Sequence, residues 1–369
     1  MTRAVMLTEY QPTWQGTGPH IRAANTLHTL VRRFPTTLLL AGDRHERLDA
    51  ETVRSEHPAL EGFEIAGKSK TQGMQWPDAE LLVVFPPEAL FHLRALPLLY
   101  PRRILDLDEV KSAREKRTGA IANEAGDIDS ARYHLRYSIA LRMLERRWIP
   151  WFDTVVVSSG AEARRLEALE LAQRIEIAPN VRPVAQPVIP PRWSKPLRLL
   201  FTGALDYAPN RDALTWFTTE VMPLLNPDHT RTEFLLEIVG PGLDHDLAQR
   251  LWGPFTIING PVSDMRPALE RCHIMVCPLR SGAGTRLKII EAWNHGVPVV
   301  TTTMGREGLP GEHAEEFLVA DDPRGLAASI TTLADQPALA EHLRQRGRAC
   351  YLAHHTPDIL DRAWDRILS

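Results

Sequence analysis

Residues 278–300 read PLRSGAGTRLKIIEAWNHGVPVV, and the order of residue types in this stretch decides how the rest of the chain is read. An apolar run, IMVC at 274–277, gives way to small residues at Ser281, Gly282, Ala283 and Gly284. Beyond them Leu287, Ile290 and Trp293 recur at helical spacing, and Gly296 stops the pattern before a second apolar run, PVVT at 298–301. Strand, tight turn, helix and next strand follow so closely that they make a βα unit of a parallel sheet. Such a turn aims backbone N–H groups and the positive end of a helix at one point, which suits a diphosphate. Lys288 and Glu291 lie three residues apart, on neighbouring faces. Read as a site, Arg286 or Lys288 neutralises phosphate charge and Glu291 accepts hydrogen bonds from ribose hydroxyls. Read without a ligand, the same residues form a surface ion pair after an ordinary turn.

The alternation of short apolar runs and amphipathic stretches extends in both directions. After this unit come helices at 323–333 and 338–351; before it lie strands at 197–201, 233–239 and 255–259 and helices at 209–221, 245–251 and 265–271. Further upstream, strands are expected at 4–7, 37–40, 81–85, 103–107, 154–158 and 174–178, with helices at 19–33, 129–147 and 160–170. Residues 179–196 carry six prolines and can continue neither a helix nor a central strand. The chain therefore reads as an α/β protein of two doubly wound domains, 1–184 and 197–351, joined by a proline-rich linker at 185–196. In the terminal stretch 352–369, Ile359, Ala363, Trp364 and Ile367 share one helical face that needs a surface to pack on. Residues 111–127 are polar and interrupted by glycine, and are expected to be a loop.

Bulk composition narrows the function classes. With 369 residues, 44% hydrophobic, 24% charged and a net charge of −3, the chain suits two soluble cores and leaves no basic footprint for nucleic acid. Three cysteines without a CxxC pair support neither a disulfide framework nor a cysteine zinc site, so a reducing cytoplasm is expected. The apolar stretch near the start is too short for a signal peptide core or a bilayer span. His354, His355 and the cluster at 244–246 have no second ligand pair at metal-site spacing and read as surface groups. Arg142, Arg146, Arg147 and Trp148, with Trp151 and Phe152, either pack at a core edge or make a peripheral contact with a membrane or lipid acceptor.

Three segments in fixed order carry a resemblance: FTGALDYAPNRDALTWFTTEVMPLL at 201–225, GPVSDMRPAL at 260–269 and SGAGTRLKIIEAWNHGVPVVTT at 281–302. Together they resemble the donor domain of family-4 retaining glycosyltransferases, the glycosyl transferases group 1. DLDEVKSAREKR at 106–117, FDTVVVSSGAEARRL at 152–166 and APN at 178–180 extend the likeness over nearly the whole chain. The resemblance implies the GT-B fold: two Rossmann-like domains facing across a cleft, the second holding a nucleoside-diphosphate sugar, the first an acceptor, and a terminal helix crossing back to the first. It places the ribose-binding glutamate on Glu291 and the glycine after the first donor-domain strand on Gly203, followed by the loop to Asn210. It puts Gly282, Ala283, Gly284, Thr285, Arg286 and Lys288 around the donor phosphates, and Gly305, Glu307 and Gly308 on a second donor loop. Base selection falls to backbone near Val262 and Ser263.

Two departures from the family pattern stand out. Ala283 occupies the place where many members carry a donor-touching glutamate, and the stretch 203–210 lacks an Arg and a Lys. Charge neutralisation then falls to Arg286, Lys288 and backbone amides. On the acceptor side, Gly16, Gly18 and Arg22 match a glycine-containing loop, while His20 serves either as an acid/base or as a solvated helix start. Asp106 and Asp108 form a DxD ending a strand, read as acceptor contacts or as turn and capping residues, with no catalytic metal. The resemblance thus implies retaining, metal-independent transfer of a sugar to a glycan, lipid-linked or small-molecule hydroxyl. No cofactor is implied, because the nucleotide sugar is a substrate. The rival expectation is a catalytically silent GT-B protein that binds nucleotide or glycan and supports a partner enzyme.

Overall fold

The computed structural model describes residues 2–14, 16–41, 50–66, 76–92, 100–124, 126–228, 233–282 and 284–369. The chain divides into two compact units. The first comprises Met1–Ala113, Arg136–Asn180 and Leu360–Ser369, and the second Arg114–Leu135 and Val181–Ile359.

In the first unit seven strands pair in parallel: β1 (Ala4–Thr8), β2 (Thr36–Ala41), β3 (Gly62–Ala66), β4 (Leu81–Phe85), β5 (Arg102–Asp108), β6 (Thr154–Val157) and β7 (Ile175–Ile177). Their order is β3-β2-β1-β4-β5-β6-β7. Every residue of β1 and β4 is buried, as continuous apolar runs covered on both faces must be. Val5, Leu7, Leu39, Leu82, Val84, Leu105 and Val155 fill the core between sheet and helices. The helix Pro357–Leu368 buries Leu360, Ala363, Trp364 and Ile367. Its apolar stripe begins at Leu360 and not at the expected Ile359, which restores the i, i+3, i+4, i+7 spacing of a helix seated on a core. Arg33 holds Asp361 and Asp365 at 3.1 and 2.7 Å, and Arg102 donates to the carbonyl of Ile367 at 2.6 Å.

Six parallel strands build the second sheet: β8 (Leu197–Thr202), β9 (Phe234–Val239), β10 (Thr256–Asn259), β11 (Ile274–Cys277), β12 (Val299–Thr301) and β13 (Leu318–Val319), in the order β10-β9-β8-β11-β12-β13. Trp293 anchors this core; it stacks on Phe317 at 5.7 Å and donates its indole N–H to the carbonyl of Glu316 at 3.0 Å. The proline-rich stretch is tied to this unit. Arg344 and Arg348 donate to the carbonyls of Val188 and Ala185, and Asn294 to that of Pro183. Segment 181–196 is thereby fixed on the second unit, and the division falls after Asn180.

Where a loop was expected, Lys111–Glu124 is a helix. It is polar on all sides, so it shows no apolar stripe. Its glycine marks close helix packing: a Cβ at Gly119 would lie 3.2 Å from both the Ala131 carbonyl oxygen and the His134 Cβ. Glu115 pairs with His134 Nδ1 across the same contact at 2.7 Å.

Candidate active site

The order of the second sheet reverses between β8 and β11, and the carboxyl ends of strands flanking such a reversal are where α/β proteins hold ligands. There the helix Leu287–His295 starts from Arg286 in extended conformation, with no side chain capping its first turn. Lys288, in that turn, donates to Asn210 Oδ1 at 2.9 Å and lies 3.8 Å over the Phe201 ring. Asn210 is aimed by its own donation to the Ala204 carbonyl at 2.8 Å. Gly203 passes directly beneath: at φ +143° a Cβ there would lie 2.8 Å from Asn210 Nδ2 and 3.3 Å from Lys288 Nζ. Burial pushes the Lys288 ammonium down to about 8, and neighbouring Arg286 adds to the effect. A cation held by a neutral amide and a ring has room for an anionic partner.

The other expected donor residues divide into those that shape the loops and those that face outward. Arg286 is buried and donates to the carbonyls of Gly284 and Met304 at 3.1 and 3.3 Å, so it braces loop backbone. Gly282 and Gly284 take positive φ and Thr285 is buried, while Ala283 lies outside the described residues. Gly305 admits no side chain, since a Cβ would sit 2.2 Å from Thr301 Oγ1 and 2.5 Å from the Cys277 carbonyl oxygen. Gly308, with φ +78°, turns the same loop. Glu291 is half-buried, and Arg182 Nη2 donates to it at 3.2 Å. Val262 and Ser263 are exposed and follow β10, the edge strand two places from β8.

Arg117 is a residue the sequence reading missed. It belongs to the Arg114–Leu135 part of the second unit, and its Nη1 donates to both carboxylate oxygens of Glu307 at 2.9 Å. Its Nη2 reaches the Gly282 carbonyl at 2.5 Å, so one guanidinium ties the loops of Gly282 and Glu307 together. Separations of 190 and 165 residues leave no local signal for these contacts.

The first sheet reverses between β1 and β4. After β1, Gly16 backs onto His20, and Gly18 opens the helix Gly18–Val31. His20 Nδ1 pairs with Thr17 Oγ1 at 2.9 Å and its ring meets Tyr10 edge-on at 5.3 Å. Burial lowers its pKa, which leaves a neutral imidazole at pH 7. Arg22 does not line an open surface. Its side chain is 4% exposed, and Nε and Nη2 donate to Asp106 Oδ1 at 2.9 and 2.6 Å. Nη1 donates to the Ala178 carbonyl and Asn180 Oδ1, and Thr26 donates to the second Asp106 oxygen. Asp106 is 1% exposed, so this network is internal and corrects the expectation that Arg22 and Asp106 face a ligand. Asp108 remains reachable, at φ +61° beside the register shift in β5, with Asn180 Nδ2 3.3 Å from its carboxylate.

The reversal also collects Glu9, directly after β1, and Glu88, just after β4, which pairs with Lys111 at 2.8 Å. Burial and then the charge of Glu88 raise the Glu9 pKa, while Lys111 opposes them. Leu107, Leu141, Leu144, Trp148 and Ile149 wall a small pocket beside Glu88 and Lys111. Finding this cluster requires the strand order, which no local pattern reveals.

Comparison with known proteins agrees with this geometry. Residues 196–336 match the family described as Glycosyl transferases group 1. A protein of Klebsiella pneumoniae, described as an uncharacterized 44.6 kDa protein in the cps region, is 29% identical over 135 residues; the match spans 34% of each chain, about a third of that relative. Among solved structures, sucrose-phosphate synthase of Thermosynechococcus elongatus superposes with a TM-score of 0.72 at 14% identity, covering 99% of this chain and 98% of that one. HepE of Anabaena, in complex with UDP and glucose, gives 0.69 at 12% identity over 100% and 99% of the two chains. The chain thus has the GT-B fold, and its residues 196–336 are similar to the glycosyl transferases group 1 family.

Proposed function

We propose that the chain is a retaining, metal-independent glycosyltransferase that moves a sugar from a nucleoside diphosphate to an acceptor hydroxyl in glycan, polysaccharide or glycolipid synthesis. The observation that carries this reading is the Lys288 arrangement: an enclosed ammonium with neutral partners, at an uncapped helix start and a strand-order reversal. HepE, which shares the fold, binds UDP and glucose, and a diphosphate of that kind would supply an anion where the described residues give Lys288 an amide oxygen and a ring. Lys288 and the first-turn amides hold the leaving diphosphate and stabilise the charge that builds on it as the glycosidic bond breaks. Glu291 accepts from the ribose, and backbone near Val262 and Ser263 selects the base. The departing phosphate takes the acceptor proton on the same face of the sugar. Metal independence is supported by Asp106, whose oxygens are both occupied by Arg22 and Thr26, so the DxD triplet offers one carboxylate and not a pair. Three unpaired cysteines favour the cytoplasm, with peripheral contact to the inner face of the membrane.

A silent GT-B protein is the second reading, favoured by Arg286 being consumed on loop carbonyls. Incubation with UDP-, GDP-, ADP- and TDP-sugars and a cell-derived acceptor extract separates the two. Release of free nucleoside diphosphate, lost in Lys288→Met, is expected of the transferase. Binding of a nucleotide sugar with no release supports the silent protein.

A further inference from the structure

The helix Ile128–Trp148 turns one face to solvent. Six of the sixteen large apolar side chains exposed among the described residues sit on it: Ile128, Tyr133, Leu135, Tyr137, Ile139 and Met143. Within the first unit, Arg136, Ala140, Met143 and Arg147 follow one another at i, i+4, i+7 and i+11 and form one line along the helix, with Ile139 and Arg146 beside it. All six are exposed. The opposite line, Ser138, Leu141, Glu145 and Trp148, is buried. Glu145, the one carboxylate between residues 136 and 148, therefore points inward, where the Ser112 amide donates to it at 2.9 Å. The outward line and its flank carry three guanidinium groups, no carboxylate, and a methionine 67% exposed.

A solvent-facing helix ordinarily mixes both charge signs and keeps large apolar groups off that face. Apolar side chains interleaved with arginines suit a different neighbour. The apolar groups enter the boundary between headgroups and acyl chains, and the guanidinium groups settle on lipid phosphates. We propose that this face docks the protein on anionic membrane lipid. A second copy is a poor occupant, because a two-fold contact would set the same cationic line against itself. The proposal deepens the membrane part of the proposed function. Vesicle binding is read without nucleotide, so its failure leaves a nucleotide-induced melting shift intact, and the reverse also holds.

The full chain is sedimented with phosphatidylcholine vesicles, with and without phosphatidylglycerol, at low and high salt. Binding is expected only with phosphatidylglycerol and weaker at high salt. Removal of each arginine should lower it roughly fivefold, so Arg146→Gln with Arg147→Gln lowers it about twenty-five-fold. Met143→Glu should lower it again, while the melting temperature stays unchanged because these side chains lie outside the core. Trp252→Glu, at an exposed position in the second unit, should bind as the unaltered protein does. Absence of phosphatidylglycerol-dependent binding overturns the proposal. Binding that survives the arginine and Met143 variants also overturns it, as does a concentration-dependent dimer that Met143→Glu abolishes.

Discussion

Arg22 and Lys288 are both drawn out of solvent, one in each unit, and their partners differ in charge. Arg22 meets the carboxylate of Asp106 twice, a carbonyl and an amide oxygen, and is fully satisfied by its own protein. Lys288 meets one amide oxygen and the face of a ring. The contrast teaches that an enclosed cation is structure when a carboxylate answers it and a candidate site when only neutral groups do. Both are reached from strand-order reversals in similar sheets, so the difference lies in the loops and not in the fold.

The largest effect expected from this contrast is in the first unit. Arg22→Ala strands Asp106 in the interior and should cost about 3–5 kcal/mol in urea unfolding. An equal loss in Lys288→Met would erase the distinction between the two cations.

Acid and base should separate the units next. His57 is 1% exposed, neither ring nitrogen has a hydrogen-bond partner among the described residues, and burial takes its pKa down to about 4. A folded value below the unfolded ~6.5 means that the unfolded chain binds the extra proton. The stability is therefore complete above about pH 6.5 and is lost as pH falls toward 4, by roughly 3 kcal/mol in all. His57→Phe should flatten that acid limb in melts recorded between the two pH values; an unchanged slope would assign the acid sensitivity elsewhere.

The second unit should respond in the opposite direction. A diphosphate prefers the protonated form of Lys288, whose pKa of about 8 in the free protein makes binding weaken as pH rises from 7 to 9. In Lys288→Met, affinity should fall on the order of tenfold to a hundredfold and lose that pH dependence, with the fold intact. Titration calorimetry at several pH values reads both. The smallest effect belongs to Arg117→Ala. Its pair with Glu307 is partly exposed and worth about 0.5–1 kcal/mol, so a small drop in melting temperature and a few-fold change in nucleotide affinity are expected.

Local pattern carried the sequence reading a long way and then stopped at contacts between distant residues. Strand, glycine turn and helix at 274–295 are legible because glycines and apolar spacing act within one βα unit. The meeting of Gly203, Asn210 and Lys288 is not, because it depends on β8 lying beside β11. Arg22 and Asp106 were both singled out, yet their pairing across 84 residues turned two expected ligand contacts into one internal network. Trp148 looked like part of a basic aromatic patch but is buried, and the exposed face of its helix lies on the opposite side. The helix Lys111–Glu124 escaped because a helix without an apolar stripe has the composition of a loop. With it went Arg117.

Thermal melting with UDP, GDP, ADP, TDP and their sugars tests the central claim most directly, measured on the unaltered protein, Lys288→Met and Glu291→Ala. A donor site at Leu287–His295 predicts that nucleotides of one base raise the melting temperature, by about 2.7 kcal/mol of stabilisation at a hundredfold excess over Kd, and that both variants show a clearly smaller shift. No shift with any nucleotide, or an equal shift in all three proteins, would contradict it.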